Sequence, residues 1–215
     1  MEKICIIFRG EHERDYIKYI NSIDNYPNFK KYIFDDLQTK YTFDIVFVTY
    51  QTKILDSLTN IFLPKQVILC DEYRSQVDNF KYVNDFIQSN RDTYNRFVIL
   101  RFDIVYKIKI TEWPLWNQTG ITVPNKDESY NQTFFCNDIV FVIDNTEEIL
   151  NHFNNAVDYM MNINNMDIDK KISNHDAMPH HIGQYLTLNN ISFNYMYDMC
   201  SKTIDNPLYI FQRYL

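Results

Sequence analysis

The segment Arg96-Phe97-Val98-Ile99-Leu100-Arg101-Phe102-Asp103-Ile104-Val105-Tyr106 decides the fold class of this chain. Its uninterrupted apolar run, residues 97–100, is typical of a strand buried on both faces, as in a parallel sheet covered by helices. Ligands of open α/β sheets bind just beyond the carboxyl ends of such strands. Arg101 and Asp103 are two positions apart, so their side chains would project from the same face of the strand there. The segment therefore predicts a site in which a guanidinium and a carboxylate hold a diphosphate and its divalent cation.

Apolar and amphipathic segments alternate along the chain. The expected strands cover residues 4–8, 43–50, 66–70, 97–100 and 138–143, and the expected helices cover residues 13–23, 53–62, 75–94, 146–162 and 182–188. This alternation predicts an α/β fold, with a mostly parallel central sheet flanked by helices. We expect a single Rossmann-like domain over residues 1–215, in which a change of pattern near residue 110 separates the halves 1–106 and 107–215.

Charge and composition argue against two classes of partner. The formal net charge of −7 and the pI near 5.2 are unlike those of a general nucleic-acid binder, which needs a basic face to displace counterions. The apolar runs are far shorter than the ~20 residues that span a bilayer. The cysteines form no CxxC pair, which favours a reducing compartment. We therefore expect a cytoplasmic protein without a membrane span or a nucleic-acid partner.

Two further strand ends carry candidate binding residues. The first strand ends at Arg9 and Gly10, where glycine lets a ligand approach the backbone closely. Arg9 or the nearby Arg14 could pair with phosphate in a forked geometry. The second strand ends at Thr49, a candidate for bonding a ribose or base edge, and Tyr50, a candidate for stacking on the base. The alternative is that the two arginines and the threonine are solvated loop residues.

The remaining candidates lie at Asp103 and in the second half of the chain. Asp103 is a candidate ligand of Mg²⁺ or Mn²⁺, because such ions use one or two protein carboxylates together with substrate phosphates. Asp138 is a candidate base or sugar-hydroxyl ligand, with a strand-capping role equally open. Either His180 or His181 would contact the diphosphate or the metal, since adjacent side chains point in different directions. Trp116 would stack on a sugar or cover the edge of the core.

Several short segments resemble a group of GT-A-like glycosyltransferases. They are an apolar strand followed by Gly and Arg at 4–14, a strand ending in Thr and an aromatic at 43–50, an Arg-x-Asp strand at 97–106, and the segments 137–148 and 179–186. Arg101 stands where typical GT-A enzymes carry the first acid of Asp-x-Asp, and His180 or His181 stands where an acidic residue is common. The chain contains neither GxGxxG nor GxxxxGK[ST], which argues against a dinucleotide or P-loop site.

The resemblance implies a function for each half of the chain. Residues 1–106 would bind a nucleotide-sugar donor and residues 107–215 would face the acceptor. With 16 Phe, 17 Tyr and only 3 Gly, the composition is typical of an AT-rich coding sequence. Together with this bias, the resemblance implies similarity to the capsid-glycan glycosyltransferases of large DNA viruses. A viral protein of this kind would act in the host cytoplasm.

The resulting hypothesis is a glycosyltransferase that moves a sugar from a nucleotide-diphosphate sugar to a glycan or protein-linked acceptor, assisted by Mn²⁺ or Mg²⁺. Arg101 and Asp138 would be catalytic and Asp103 would hold the metal. The substrate-binding residues would be Arg9, Gly10, Arg14, Thr49, Tyr50, Trp116, His180 and His181. The alternative hypothesis is a non-catalytic α/β module that binds a carbohydrate or associates with a capsid.

Overall fold

A seven-stranded sheet lies at the centre of the protein, whose computed structural model describes residues 1–14, 20–70, 76–127, 135–136, 139–166, 181–197 and 206–211. In chain order, the strands of these residues are β1 (Lys3–Arg9), β2 (Glu13–Arg14), β3 (Ile20–Asn21), β4 (Thr42–Thr49), β5 (Gln66–Leu69), β6 (Arg96–Arg101), β7 (Ile104–Tyr106), β8 (Ile121–Val123), β9 (Lys126–Asp127), β10 (Phe135–Cys136), β11 (Val140–Asp144), β12 (Asn194–Tyr195) and β13 (Tyr209–Phe211).

Within the described residues, only one strand of the central sheet is reversed. The order is β12-β8-β11-β6-β1-β4-β5. β1 runs parallel to β4 and β6, β4 runs parallel to β5, and β8 runs parallel to β12. β11 runs antiparallel to both of its neighbours, β6 and β8. The prediction of an α/β fold with a mostly parallel central sheet is therefore confirmed.

Helices cover both faces of this sheet. They are α1 (Ser22–Phe29), which continues through a π-helical turn (Lys30–Phe34) into α2 (Asp35–Leu37), then α3 (Leu55–Phe62), α4 (Gln76–Ser89), α5 (Glu147–Met166) and α6 (His181–Leu188). One core packs α1, α2 and α3 on one face, and a second core packs α4, α5 and α6 on the other. None of the helices in the described ranges has the length and apolarity to cross a bilayer.

Burial on both faces explains why β1 and β6 are continuously apolar. Ile6 and Phe8 enter the first core, while Cys5 and Ile7 enter the second. Because side chains alternate along a strand, Arg9 shares the face of Cys5 and Ile7, which is the face covered by α4. The packing thus aims the side chain at the end of β1 toward α4.

The expected helix over residues 13–23 is wrong at residues 13–14 and 20–21, which are strands. Glu13 and Arg14 pair with Ile20 and Asn21 as the antiparallel strands β2 and β3. The helix starts only at Ser22, where the side chain of Asn21 accepts a hydrogen bond of 3.0 Å from the Ile23 amide. A capping residue and strand pairing therefore override the apolar spacing of this segment.

The order of the parallel strands reverses between β1 and β6. From β1 the chain adds β4 and then β5 on one side, whereas β6 lies on the other side. A crevice at the carboxyl ends of the strands is the usual ligand site at such a switch point. In this protein the switch point lies beside Arg9 and Arg101, which are register partners.

Candidate functional site

The ends of β1, β4 and β6 form one edge of the sheet, which we call the carboxyl edge (residues 9–12, 49–50 and 101–103). Arg9 pairs in register with Val48 on one side and with Arg101 on the other. Neighbouring strands lie about 4.8 Å apart, so two arginines stand side by side at the switch point. The strand pairing therefore brings these two predicted site residues together.

Arg9 is buried beneath α4. Only 2% of the residue is exposed, and its guanidinium carbon lies 4.2 Å from the centre of the Phe80 ring. A cation over an aromatic face is stabilised by the ring quadrupole. Thr49 is also fully buried. The alternative that Arg9 and Thr49 are solvated loop residues is therefore excluded.

Gly10 turns the chain at the end of β1 in a conformation that favours glycine. Its φ is +88°, and its amide donates a 3.0 Å hydrogen bond to the Val48 carbonyl. A Cβ added at this position would meet no atom of the described residues within 4 Å. Backbone conformation, and not a steric clash with the described residues, therefore favours glycine here.

Asp103 holds the Arg101 guanidinium in a fork. Arg101 Nε donates to Asp103 Oδ1 at 2.8 Å, and Nη2 donates to Oδ2 at 2.7 Å. Asp103 is 4% exposed, while the Arg101 side chain keeps 16% exposure. This bidentate geometry fixes the plane of the guanidinium. Asp103 thus orients Arg101 at the carboxyl edge.

Helix α1 holds the turn that carries Asp103. Asn25 Nδ2 donates to the Phe102 carbonyl at 3.4 Å, and Ser22 Oγ lies 3.5 Å from the same oxygen. Asn28 accepts from the Tyr106 amide at 2.7 Å and donates to the Tyr106 carbonyl at 2.8 Å. The sequence interpretation missed these three residues. Their signal was a polar residue at every third position of this helix.

His12 links the ends of β1 and β4, and it was also missed. Its Nδ1 lies 2.7 Å from Thr49 Oγ1, and its Nε2 lies 2.7 Å from Thr52 Oγ1. Thr49 Oγ1 donates in turn to the Gly10 carbonyl at 2.7 Å. Burial lowers the pKa of His12 to about 4, so its ring is neutral at pH 7. The Thr49 hydroxyl is therefore engaged inside the protein.

Tyr50 lies on the same face of the sheet as Arg9. It is 8% exposed and packs in the second core. Burial raises the pKa of Tyr50 to about 12; the cation of Arg9 acts in the opposite direction, and the carboxylates of Glu11 and Asp78 add to the rise. Tyr50 is thus a protonated phenol among the charges at the carboxyl edge.

Two predicted site residues have other surroundings. Trp116 is buried, its indole nitrogen donates to the Tyr41 hydroxyl at 3.2 Å, and its carbonyl accepts from Arg96 Nη1 at 2.9 Å. Arg96 begins β6, so Trp116 lies roughly 17 Å along the strand from Arg101. The structure does not bring Trp116 to the carboxyl edge. His181 begins α6, with Nδ1 2.7 Å from Gln184 Oε1 of the same helix.

Three other predicted site residues lie wholly or partly outside the described residues. Asp138 and His180 fall in the gaps at 137–138 and 167–180. Arg14 is described only through its backbone in β2, and its side chain lies outside the described atoms. Their assignments remain predictions.

Arg101 already engages the carboxylate of Asp103, the residue that the sequence offers as a metal ligand. Among the described residues, no three His, Cys, Asp or Glu side chains come together as a metal site. Both oxygens of Asp103 accept hydrogen bonds from Arg101. A cation at Asp103 would lie against a guanidinium that is already bound there, which electrostatic repulsion disfavours. The residues present therefore do not fit a metal held by Asp103.

No protein-family model matches this chain, and no curated protein matches its sequence. A fold alone does not determine a function, because one α/β architecture supports many activities. The functional assignment therefore depends on the geometry of the carboxyl edge.

Proposed function

We propose that this protein is a nucleotide-sugar-dependent glycosyltransferase, which transfers a sugar from a nucleoside-diphosphate sugar to a glycan or protein-linked acceptor. The observation that carries the proposal is the register pairing of Arg9 with Arg101 at the switch point of the sheet. Ligands of α/β sheets bind there, and forked guanidinium groups match the oxygens of a phosphate. A diphosphate at this edge would attract both cations.

In this proposal, Arg101 assists departure of the nucleoside diphosphate. Negative charge grows on the leaving group as the bond to the sugar breaks, and a pre-oriented cation stabilises that charge. Asp103 supplies the orientation through the two hydrogen bonds of its carboxylate. Arginine thus takes the electrostatic role that the sequence analysis gave to Mn²⁺ or Mg²⁺, and no step depends on a metal.

The finer parts of the proposal rest on the resemblance to GT-A-like enzymes. Asp138 would orient or deprotonate the acceptor hydroxyl. Tyr50 supports placement of the nucleoside near Arg9, because it lies on the same face of the sheet. A viral origin, action on a capsid glycan and a cytoplasmic location belong to the same proposal.

Calorimetric titration with UDP and GDP, each with EDTA or with Mn²⁺, tests the donor site. We expect one nucleotide to bind in EDTA, with little gain from Mn²⁺. The double variant Arg101→Met/Asp103→Asn should weaken that binding roughly 10- to 100-fold, because charge-assisted contacts are lost while no unpaired carboxylate remains buried.

The control is Arg96→Met, which removes the arginine at the other end of the same strand. Its remaining folded fraction should bind nucleotide like the wild type. Release of nucleoside diphosphate from UDP- and GDP-sugars then tests catalysis. A wild-type protein that binds a nucleotide without turnover would support the non-catalytic module, and one that binds neither nucleotide would overturn both the donor site and the transferase.

A further inference from the structure

His12 lies where three strand ends meet, and the proposed transfer chemistry does not use it. The residue is fully buried. Its ring contacts Thr49 at the end of β4 and Thr52 beyond it, and lies edge-on to Phe102 with ring centres 5.6 Å apart. We infer that His12 is a positioning residue, which acts through Thr49 to hold the Gly10 turn in the shape that admits the diphosphate. The inference rests on the proposed function.

One set of directions satisfies every short contact around His12 as a hydrogen bond. The Gly10 carbonyl can only accept, so the Thr49 hydroxyl donates its one proton there. Thr49 must then accept from His12, which places the ring proton on Nδ1. In the neutral ring Nε2 is an acceptor, so the Thr52 hydroxyl donates to it. Thr52 Oγ1 accepts in turn from the Ile54 amide at 3.3 Å.

The hydrogen bonds from His12 to Thr49 and from Thr49 to the Gly10 carbonyl, which we call the His12 relay, control the orientation of one peptide group. Because the peptide unit is planar and trans, holding the Gly10 carbonyl toward Thr49 also fixes the direction of the next amide, that of Glu11. The Gly10 amide is held by the Val48 carbonyl at 3.0 Å. The turn is thus tied to β4 through both the amide and the carbonyl of Gly10. A Cβ added at Gly10 would meet no atom of the described residues within 4 Å.

The backbone of His12 adds a connection to the turn that carries Asp103. The His12 carbonyl accepts from the Ser22 amide at 3.0 Å and from the Ser22 hydroxyl at 2.9 Å. The same Ser22 hydroxyl oxygen lies 3.5 Å from the Phe102 carbonyl oxygen. The β1 turn and the β6 turn therefore share one support, and this support sets the position of Gly10 relative to Arg101.

Two substitutions at His12 separate positioning from simple packing. Both remove the ring and its contact with Phe102. In His12→Asn, the amide nitrogen can take the place of Nδ1 and still donate to Thr49. In His12→Gln, the amide reaches the place of Nε2 and Thr52, but the donor to Thr49 is lost.

The affinity for UDP and GDP, measured by calorimetry, distinguishes the two variants. We expect His12→Asn to stay within about threefold of the wild type and His12→Gln to weaken binding about tenfold, because one buried hydrogen bond is at stake. Thr49→Val should resemble His12→Gln. The control Thr59→Val, which removes a hydroxyl that bonds the Asp56 carbonyl on the exposed face of α3, should leave binding unchanged. Equal affinities of the Asn and Gln variants, at equal folded fraction, would overturn the positioning role.

Hydrogen exchange of the Glu11 amide is a readout that does not need a nucleotide. Exchange should be faster in His12→Gln than in His12→Asn, because only the first removes the donor that holds the Thr49 hydroxyl toward the Gly10 carbonyl. A nitrogen NMR spectrum should show the proton of His12 on Nδ1. If the wild type binds neither nucleotide, the proposed function fails and takes the positioning role with it. The His12 relay is then tested by the exchange rates of the Glu11 amide alone. Equal rates in His12→Gln and His12→Asn would refute it.

Discussion

Two arginine–aspartate pairs lie at the two ends of β6 and differ in what they connect. At the amino end, Arg96 Nε donates to Asp144 Oδ1 at 2.7 Å, and Asp144 Oδ2 accepts from the Gly120 amide at 2.9 Å. At the carboxyl end, the Arg101–Asp103 pair joins residues only two positions apart. The first pair joins distant segments, whereas the second orients one side chain.

The surroundings of each pair match that difference. Arg96 also donates to the Trp116 carbonyl, and its guanidinium carbon lies 5.2 Å from the centre of the Trp116 ring. Arg96 therefore connects β6, β11 and the loop that carries Trp116. Arg101 instead stands in register with Arg9, beside the Gly10 turn. Burial of an ion pair therefore does not by itself indicate a functional site. The segments that it connects are more informative.

The largest expected effect is on stability at the amino end. Arg96→Met leaves the Asp144 carboxylate buried without its cation and should lower the free energy of unfolding by about 3–5 kcal/mol. Denaturant titration measures this loss. The paired variant Arg101→Met/Asp103→Asn should lose much less stability. A larger loss for the carboxyl-end variant would contradict the assignment of the structural role to Arg96.

An intermediate effect is expected from the two glycines near the two pairs. Gly10 and Gly120 have φ values of +88° and +118°, so alanine at either position should cost roughly 1–2 kcal/mol of stability. Only Gly10→Ala should also weaken UDP or GDP binding, because only Gly10 lies at the carboxyl edge. Thermal unfolding and calorimetry on both variants test this. An equal loss of nucleotide affinity in the two variants would contradict a binding site at the Gly10 turn.

The smallest effect concerns Asp44, near the amino ends of β1 and β4. Burial pushes the pKa of Asp44 upward, but hydrogen bonds from Lys65, Lys3 and Tyr94 outweigh it and hold the pKa below its ordinary value. A lowered pKa stabilises the fold above the unfolded-state value, and that contribution is lost as the pH falls through the folded-state value.

Asp44→Asn should therefore lower stability at pH 7 by about 1 kcal/mol or less, because the cluster is partly solvated. The difference from the wild type should shrink below about pH 4, where the unfolded-state carboxyl starts to protonate. Denaturant titrations at several pH values measure it. A difference that grows on acidification would show that the pKa is raised instead, and nucleotide binding should not change at any pH where both proteins are folded.

The sequence predicted the strands of this protein better than their connections. The apolar run at 97–100 led to β6, and Arg9, Gly10 and Arg101 were placed at strand ends where the structure has them. The helix over 13–23 failed because the Asn21 cap and the pairing of β2 with β3 depend on contacts outside the segment. The sequence left open whether Trp116 stacks on a sugar or covers the edge of the core. Only its burial in the folded protein decided for the core.

The sequence by itself determined the α/β class, because burial on two faces demands continuous apolar strands, and it determined that cations stand at strand ends. The tertiary structure decided that Arg9 and Arg101 are neighbours, since strand order does not follow from local pattern. It also decided which arginine holds the fold together and which faces the candidate site. His12, Ser22 and Asn28 acquire their roles only from partners elsewhere in the chain. The polar spacing of Ser22 and Asn28 can be seen in the sequence, but their partners cannot, because the geometry that joins them is created by folding.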